Sequence, residues 1–234
     1  MGFAPYGGVH LAWLAAAALC FAGGCLFYRR LRGRGRRRMR LVIAALTVGD
    51  ELFKIWLLAS HGNYTVDYLP LHLCSINIFI VLWHALRPRS ETEEFLYAIC
   101  LPGAMAALLF PSWSALPPTC GMHIHSFTVH ILLALYPLLL TAGGEVHPQP
   151  RHIPRLLGLL ALCAVPAVIV NQICGTNFMF LREAGPGNPL QPFEALFGTH
   201  LAGIPILIAA VLLILYTPWV LAERRRAGRK TPTS

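Results

Sequence analysis

The 234-residue chain is 56% hydrophobic and 12% charged, with a formal net charge of +9 and a mean hydropathy of +0.59. A soluble domain carries about 25% charged residues, so this composition is typical of a polytopic membrane protein. The basic residues stand in short blocks between apolar segments, a pattern that orients membrane proteins and argues against a nucleic-acid partner. The seven cysteines contain no CxxC pair, which argues against a zinc finger or a dithiol redox motif.

An apolar helix of roughly 20 residues crosses the hydrocarbon core of a membrane. We identify seven segments of about this length, so the predicted fold is an all-α bundle of seven transmembrane helices in one domain, residues 1–234. Pro88 and Pro102 interrupt the pattern around the third and fourth segments. The predicted spans are residues 9–27, 41–60, 71–86, 94–110, 122–141, 153–174 and 198–221.

The distribution of arginine predicts the orientation. All but two of the 19 basic residues fall in residues 29–40, 87–89 and 151–155 and in the C-terminal tail. The positive-inside rule places these four segments in the cytoplasm. We therefore expect a multi-pass protein of the cell membrane with its N-terminus outside and its C-terminus inside, which requires an odd number of spans.

With this orientation, nearly every polar residue inside a span falls in the outer half of the membrane. Charged groups that face lipid are costly, so these residues are expected to line a polar cavity open to the outer side. Asp50 and Lys54 are spaced i, i+4 and share a helix face, which predicts a structural ion pair. Glu51 lies about 100° from Asp50 around the helix axis and is predicted to hold a neighbouring helix or to orient a histidine.

Cys74 is the first candidate for chemistry. A cysteine in an apolar helix is usually an inert small hydrophobe, but Cys74 has Asn77 on the same face and several imidazoles at similar depth. A thiol with a nearby histidine is the minimum for nucleophilic acyl transfer, because the imidazole takes the thiol proton and the thiolate attacks a carbonyl carbon. Asn77 or Asn171 would donate a hydrogen bond to the resulting oxyanion.

Histidines near the outer helix ends leave other functions open. Their spacing is not HExxH, which excludes a zincin site, but a zinc or haem site built from several helices remains an option. We expect no metal or other cofactor. The alternatives to acyl transfer are a multi-helix zinc hydrolase and a non-catalytic protein that binds or transports a lipid or small solute. The histidines are His72, His123, His125, His130 and His200.

Two further features lie at the outer helix ends. Cys120 and Cys174 are placed where a disulfide would form in an oxidising compartment, so we predict one. Gly175 follows the sixth span, which predicts a helix C-cap and a sharp turn. The aromatic run 178–180 that comes next is predicted to form an interfacial lid over the cavity.

Three segments also carry a family resemblance. The segment Leu69–Cys74, the later-helix residue His130 and the segment Asn177–Leu181 together resemble the YwaF-like bacterial integral membrane proteins, which are relatives of the vertebrate transmembrane protein 164. The resemblance runs from about the second span to the seventh and implies a small helical membrane bundle. The vertebrate relatives look like cysteine-dependent acyltransferases acting on phospholipids, and more distant relatives look like lipid hydrolases with a threonine nucleophile.

Carried onto this chain, the resemblance implies that Cys74 is the nucleophile and His130 the base. The implied partners are membrane lipids, with an acyl-lipid as substrate and a thioester as the intermediate. The residues expected to hold the oxyanion or support the pair are Asn77, His72, His125, Asn171 and Asn177.

Overall fold

The structure is a computed structural model that describes residues 2–185 and 187–228. These residues form helices, turns and loops without a β-strand, which confirms the all-α prediction. Short 3₁₀ turns precede or follow several helices. The helices are α1 (Gly8–Arg30), α2 (Arg34–Ser60), α3 (Leu73–Leu86), α4 (Ser90–Leu109), α5 (Gly121–Ala142), α6 (Ile153–Cys174), α7 (Gln191–Phe197) and α8 (Gly203–Gly228).

All seven predicted spans are helical, and five of them are long and apolar enough to cross a membrane. The two others differ for separate reasons. Helix α3 has 14 residues, about 21 Å at 1.5 Å per residue, which is less than the roughly 30 Å hydrocarbon core. Helix α2 has 27 residues but carries Asp50, Glu51 and Lys54 in its apolar part. The five are α1, α4, α5, Pro150–Cys174 and His200–Arg225.

The arginine-rich segment between the first two spans is mostly helix rather than loop. Helix α1 continues through Arg30 and α2 begins at Arg34, so only three residues separate them. Arginine is a good helix former, and Gly33 provides the turn with a positive φ of 42°. The second helix therefore begins well before the predicted start at Leu41.

Pro102 does not end α4. A proline lacks the N–H of the regular helix and its ring clashes with the carbonyl four residues earlier. The chain forms one π-helical turn, Leu96–Cys100, just before the proline. The wider turn lets the helix continue to Leu109.

Contacts between helix ends define the directions of the helices. Trp13, early in α1, contacts His123, early in α5. His84, late in α3, contacts Tyr136, late in α5. Helices α1, α3 and α5 therefore run in the same direction.

Helices α2 and α4 run the opposite way. Arg40, early in α2, bonds Glu145, which follows the end of α5. Leu108, late in α4, accepts a hydrogen bond from His10, early in α1. Contacts of α6 and α8 continue the alternation. We call the end where α3 and α5 begin the Cys74 end, and the opposite end, where the basic segments gather, the arginine-rich end.

Helix α5 is the centre of the bundle, and α1, α2, α3 and α4 pack around it. Phe127, Tyr136, Leu139 and Leu140 on this helix are fully buried. By contrast, α1, α6 and α8 bury only 11% of their apolar windows, which leaves long apolar faces for lipid. Helices α2, α3 and α5 pack pairwise, so polar residues on these three helices can meet inside the bundle.

Candidate functional site

Cys74 lies in the first turn of α3. His72 is the N-cap residue, and the first hydrogen bond of the helix runs from the Ile76 amide to the His72 carbonyl at 3.0 Å. The backbone N–H groups of residues 73–75 therefore have no acceptor within the helix. These donors and the positive end of the helix dipole favour a negative charge beside the thiol.

The Cys74 side chain is half-buried between apolar and charged neighbours. It packs against the main hydrophobic core. Helix α2, which packs on α3, carries the buried ion pair of Glu51 and Lys54. The thiol thus lies at the boundary between the core and a small group of buried charges.

His130 lies on α5 and keeps one ring nitrogen free. Its Nδ1–H donates to the carbonyl oxygen of Ser126 at 2.6 Å, so Nε2 carries the lone pair when the ring is neutral. The Trp113 ring stacks on the imidazole, with ring centroids 5.1 Å apart and planes 8° from parallel. His130 is only 9% exposed, so its orientation is well defined by packing.

The structure places Cys74 and His130 on packed helices, α3 and α5. No hydrogen bond joins the two side chains within residues 2–185 and 187–228, and the pairing of thiol and base stays a prediction. His72 lies two residues before Cys74 and is the N-cap residue of the same helix. Catalytic hydrogen bonds are often long in unliganded proteins and shorten when substrate binds.

The predicted ion pair between Asp50 and Lys54 is wrong. Lys54 pairs instead with Glu51, at 2.5 Å between Nζ and Oε1. The spacing i, i+3 also brings two side chains together, and Asp50 turns toward α5. There its Oδ2 lies 2.8 Å from Nδ1 of His125, and Oδ1 accepts a 2.8 Å hydrogen bond from Thr128.

His72 is tied to the segment Gly175–Leu181 that follows α6. The amide of Met179 donates to its Nδ1 at 3.3 Å, so the proton of the neutral ring is on Nε2. Phe178 packs edge-on against the ring, with centroids 5.1 Å apart. His72 therefore connects this aromatic segment to the helix that carries Cys74.

Asn171 and Asn177 hold the backbone of the same segment. The Asn171 side chain bonds both the amide and the carbonyl of Phe178 and accepts from the Thr176 hydroxyl. The Asn177 side chain caps the turn that reaches Glu183. These amides are engaged in local structure.

Asn77 differs from the other two asparagines. It is 2% exposed, and its Oδ1 has no hydrogen-bond partner. Its Nδ2–H₂ group is a donor, and no hydrogen bond from it is found among the described residues. Of the asparagines expected to bind an oxyanion, Asn77 is the one whose side chain is unengaged.

The aromatic segment carries backbone strain. Met179 and Phe180 have φ of 56° and 55°, a left-handed conformation that costs roughly 1–2 kcal/mol for a residue with a Cβ. Asn171 and His72 hold one side of the segment, and His200 donates from Nε2 to the Phe180 carbonyl at 2.9 Å. Gly175 ends α6 with φ of 74°, which confirms the predicted C-cap.

The predicted disulfide between Cys120 and Cys174 is wrong. All seven cysteines are free. Cys120 caps the start of α5, which packs against α1, α2, α3 and α4, whereas Cys174 is exposed at the end of α6. Both residues lie at helix ends, but α5 and α6 are not close neighbours.

Two residues that contact His130 and Asp50 were not identified from the sequence. Trp113 stacks on His130, and its buried Nε1–H has no partner. Thr128 donates to Asp50. Trp113 could have been suspected because a tryptophan in the loop before a histidine-containing helix can pack on a histidine. Nothing in the spacing of Thr128 indicates that its partner is on α2.

No group of three or more His, Cys, Asp or Glu side chains that could hold a metal occurs in the described part of the chain. His123 is engaged otherwise, since its Nε2 accepts from Trp13 Nε1 at 3.0 Å. A cavity of about 150 Å³ lies at the arginine-rich end, lined by Glu94, His152 and Arg155. The polar cavity expected at the Cys74 end stays a prediction.

Fold and site together define a helical membrane protein with polar groups buried inside its bundle. A family model described as the TMEM164 family matches residues 5–222, and the chain belongs to that family. This confirms the resemblance noted in the sequence. No curated protein and no solved structure matches the chain significantly.

Proposed function

We propose that the protein is a cysteine-dependent acyltransferase or hydrolase that acts on a membrane lipid. The observation that carries the proposal is the location of Cys74 in the first turn of α3, beside backbone N–H groups that have no acceptor within the helix. Helix α5, which packs on α3, presents His130 with a free ring nitrogen. The family resemblance implies the same pair.

The first half-reaction transfers an acyl group to sulfur. Nε2 of His130 takes the thiol proton of Cys74, and the thiolate attacks the ester carbonyl carbon. The carbon–oxygen bond of the ester then breaks, and the departing alcohol takes the proton from His130. The products are a thioester on Cys74 and a lysolipid.

The oxyanion of this step is best stabilised by groups that have no other partner. The donors that come nearest to that condition are the backbone N–H groups at the start of α3, which have no acceptor within the helix, and the Nδ2–H₂ group of Asn77. Asn171 and Asn177 do not meet it, because their side chains hold the segment after α6. The proposed role of the latter two is therefore to shape the entrance.

We propose a seven-span arrangement with the N-terminus outside the cell membrane. The alternating helix directions and the gathering of basic segments at one end support it. The charges within α2 have partners inside the bundle, which removes the main objection to α2 as a span. The Cys74 end then faces outward.

A lipid-like, thiol-reactive probe tests the proposal on the detergent-solubilised protein. We expect selective labelling of Cys74 in the wild type and about a tenfold or greater fall in its rate in His130→Gln, since a general base contributes at least that much. Cys163→Ala is the matched control, because Cys163 is a half-buried cysteine on the peripheral helix α6. Mass spectrometry of the peptides identifies the labelled residue.

Equal labelling of Cys74 and Cys163 would contradict the proposal. Lipid binding that is unchanged in Cys74→Ala would then favour a non-catalytic carrier. Stoichiometric zinc in the purified protein would favour a zinc hydrolase.

A further inference from the structure

The Asp50 carboxylate and the His125 imidazole form a buried pair that the first half-reaction does not use. Oδ2 of Asp50 lies 2.8 Å from Nδ1 of His125, and the two side chains are 15% and 7% exposed. The contact is not aligned as a hydrogen bond, and neither atom has another partner. Thr128 holds the second carboxylate oxygen at 2.8 Å.

This contact favours one tautomer of His125. A carboxylate 2.8 Å from Nδ1 favours a proton on that nitrogen, which leaves the lone pair of the neutral ring on Nε2. Nε2 has no hydrogen-bond partner among the described residues. A buried carboxylate that orients an imidazole in this tautomer is the arrangement by which many hydrolases prepare a general base.

The pair lies on the helices that surround the proposed nucleophilic site. Asp50 is on α2 and His125 is on α5, and both helices pack on α3, which carries Cys74. His125 precedes His130 by five residues on α5, and both imidazoles are buried. Two histidines with free ring nitrogens are therefore close to the same region, and only His125 has a carboxylate partner.

We propose that His125 is the general base of the second half-reaction and that Asp50 is its positioning residue; the inference rests on the proposed function. Nε2 of His125 takes the hydroxyl proton of the acceptor, a lysolipid or water, as its oxygen attacks the thioester carbon. The carbon–sulfur bond breaks, and the Cys74 thiolate leaves. The proton on His125 then returns to the thiolate, which restores the thiol.

The two half-reactions separate experimentally with 4-nitrophenyl octanoate as acyl donor. Nitrophenolate release reports transfer to sulfur, and mass spectrometry of the Cys74 peptide reports the thioester. In His125→Gln and Asp50→Asn we expect the initial burst to stay within about twofold of wild type while turnover falls about 100-fold, the usual size of a general-base contribution. The thioester accumulates, and Asp50→Glu recovers part of the turnover.

His152→Gln is the matched control. His152 has a carboxylate partner, Glu94, at 2.7 Å, but it lies at the arginine-rich end. We expect wild-type burst and turnover in this variant. The burst also reports folding, because a variant that fails to fold loses both phases, and Asp50→Glu then tests the pair with its carboxylate retained. Added lysolipid distinguishes the acceptors, since transfer gives a new ester and hydrolysis gives free octanoate.

Two results would overturn the inference and are distinguishable. Wild-type turnover in folded His125→Gln, or a burst that falls together with turnover in Asp50→Glu, would exclude a separate base for the second step while leaving Cys74 as nucleophile. The absence of a Cys74 thioester and of any turnover in the wild type would remove the proposed function itself, and the inference with it.

Discussion

The two ends of the bundle each bury a carboxylate beside a histidine, but the two carboxylates differ in the number of hydrogen bonds that they accept. At the arginine-rich end, Glu94 accepts hydrogen bonds from the Gln149 amide at 2.7 Å and the Tyr216 hydroxyl at 2.9 Å, and it contacts His152 at 2.7 Å. At the Cys74 end, Asp50 has one hydrogen bond and one unaligned contact. The first carboxylate is satisfied and the second is not.

The difference extends to the neighbourhood of each group. Among the residues that the structure describes, six buried side-chain polar atoms have no hydrogen-bond partner, and five of them lie at the Cys74 end. Buried polar groups are almost always paired, and unpaired ones require a reason such as a ligand or a catalytic role. The comparison is consistent with a stabilising role for the arginine-rich end and with the chemistry proposed for the Cys74 end. The five atoms belong to Asp50, Asn77, Trp113, His123 and His125.

The largest expected effect is loss of activity in Cys74→Ser. A serine hydroxyl is a much weaker nucleophile than a thiolate at neutral pH, so turnover of an acyl ester should fall about 10³-fold or more. Thermal unfolding in detergent should stay close to wild type, because the two side chains are similar in size. Retained turnover would contradict the assignment of chemistry to this end.

Glu94→Ala should have the opposite effect to Cys74→Ser, because it should lower stability and leave the labelling of Cys74 unchanged. Removing a buried carboxylate with three partners should lower stability by about 3–5 kcal/mol, measured by denaturation in mixed detergent. Glu91→Ala is the control, because Glu91 pairs with Arg155 at the surface and should contribute below about 1 kcal/mol. Labelling of Cys74 should be unchanged in folded Glu94→Ala. A loss of Cys74 labelling without a loss of stability would mean that Glu94 serves the reaction and not the stability of the bundle.

Asn171→Ala tests whether this asparagine is structural. It removes three hydrogen bonds that hold residues 176–178, so we expect a loss of about 1–3 kcal/mol and faster proteolysis after Phe178 or Phe180. Gln172→Ala, at the exposed neighbouring position, should change neither. If stability is unchanged but acylation of Cys74 falls, Asn171 instead contacts the substrate.

The smallest effect concerns the strained backbone at Met179. Asn tolerates a positive φ better than Ala, so Met179→Asn should be more stable than Met179→Ala by about 0.5–1 kcal/mol in the same denaturation assay. Both variants lose the methionine side chain, so the difference isolates the backbone. Equal stabilities would mean that the segment relaxes to another conformation.

Partner choice inside the bundle could not be predicted from spacing. The i, i+4 rule favoured Asp50 with Lys54, but Glu51 competes for the lysine at i+3 and His125 competes for Asp50 across the helix interface. Likewise, Asn171 and Asn177 were predicted to donate to a ligand, because the sequence does not show the turn that their side chains hold. Helical periodicity defines which face a residue is on but not which neighbour it meets.

By itself, the sequence determined the membrane class, the all-α fold, the positions of the helices and the family, because these depend on apolar length, helix-ending residues and order along the chain. Only the tertiary structure decided that Cys120 and Cys174 stay apart, that Lys54 pairs with Glu51 and that His125 contacts Asp50. Those outcomes depend on helix rotation and on which helices are neighbours. Both are set by packing around α5, which no local pattern encodes.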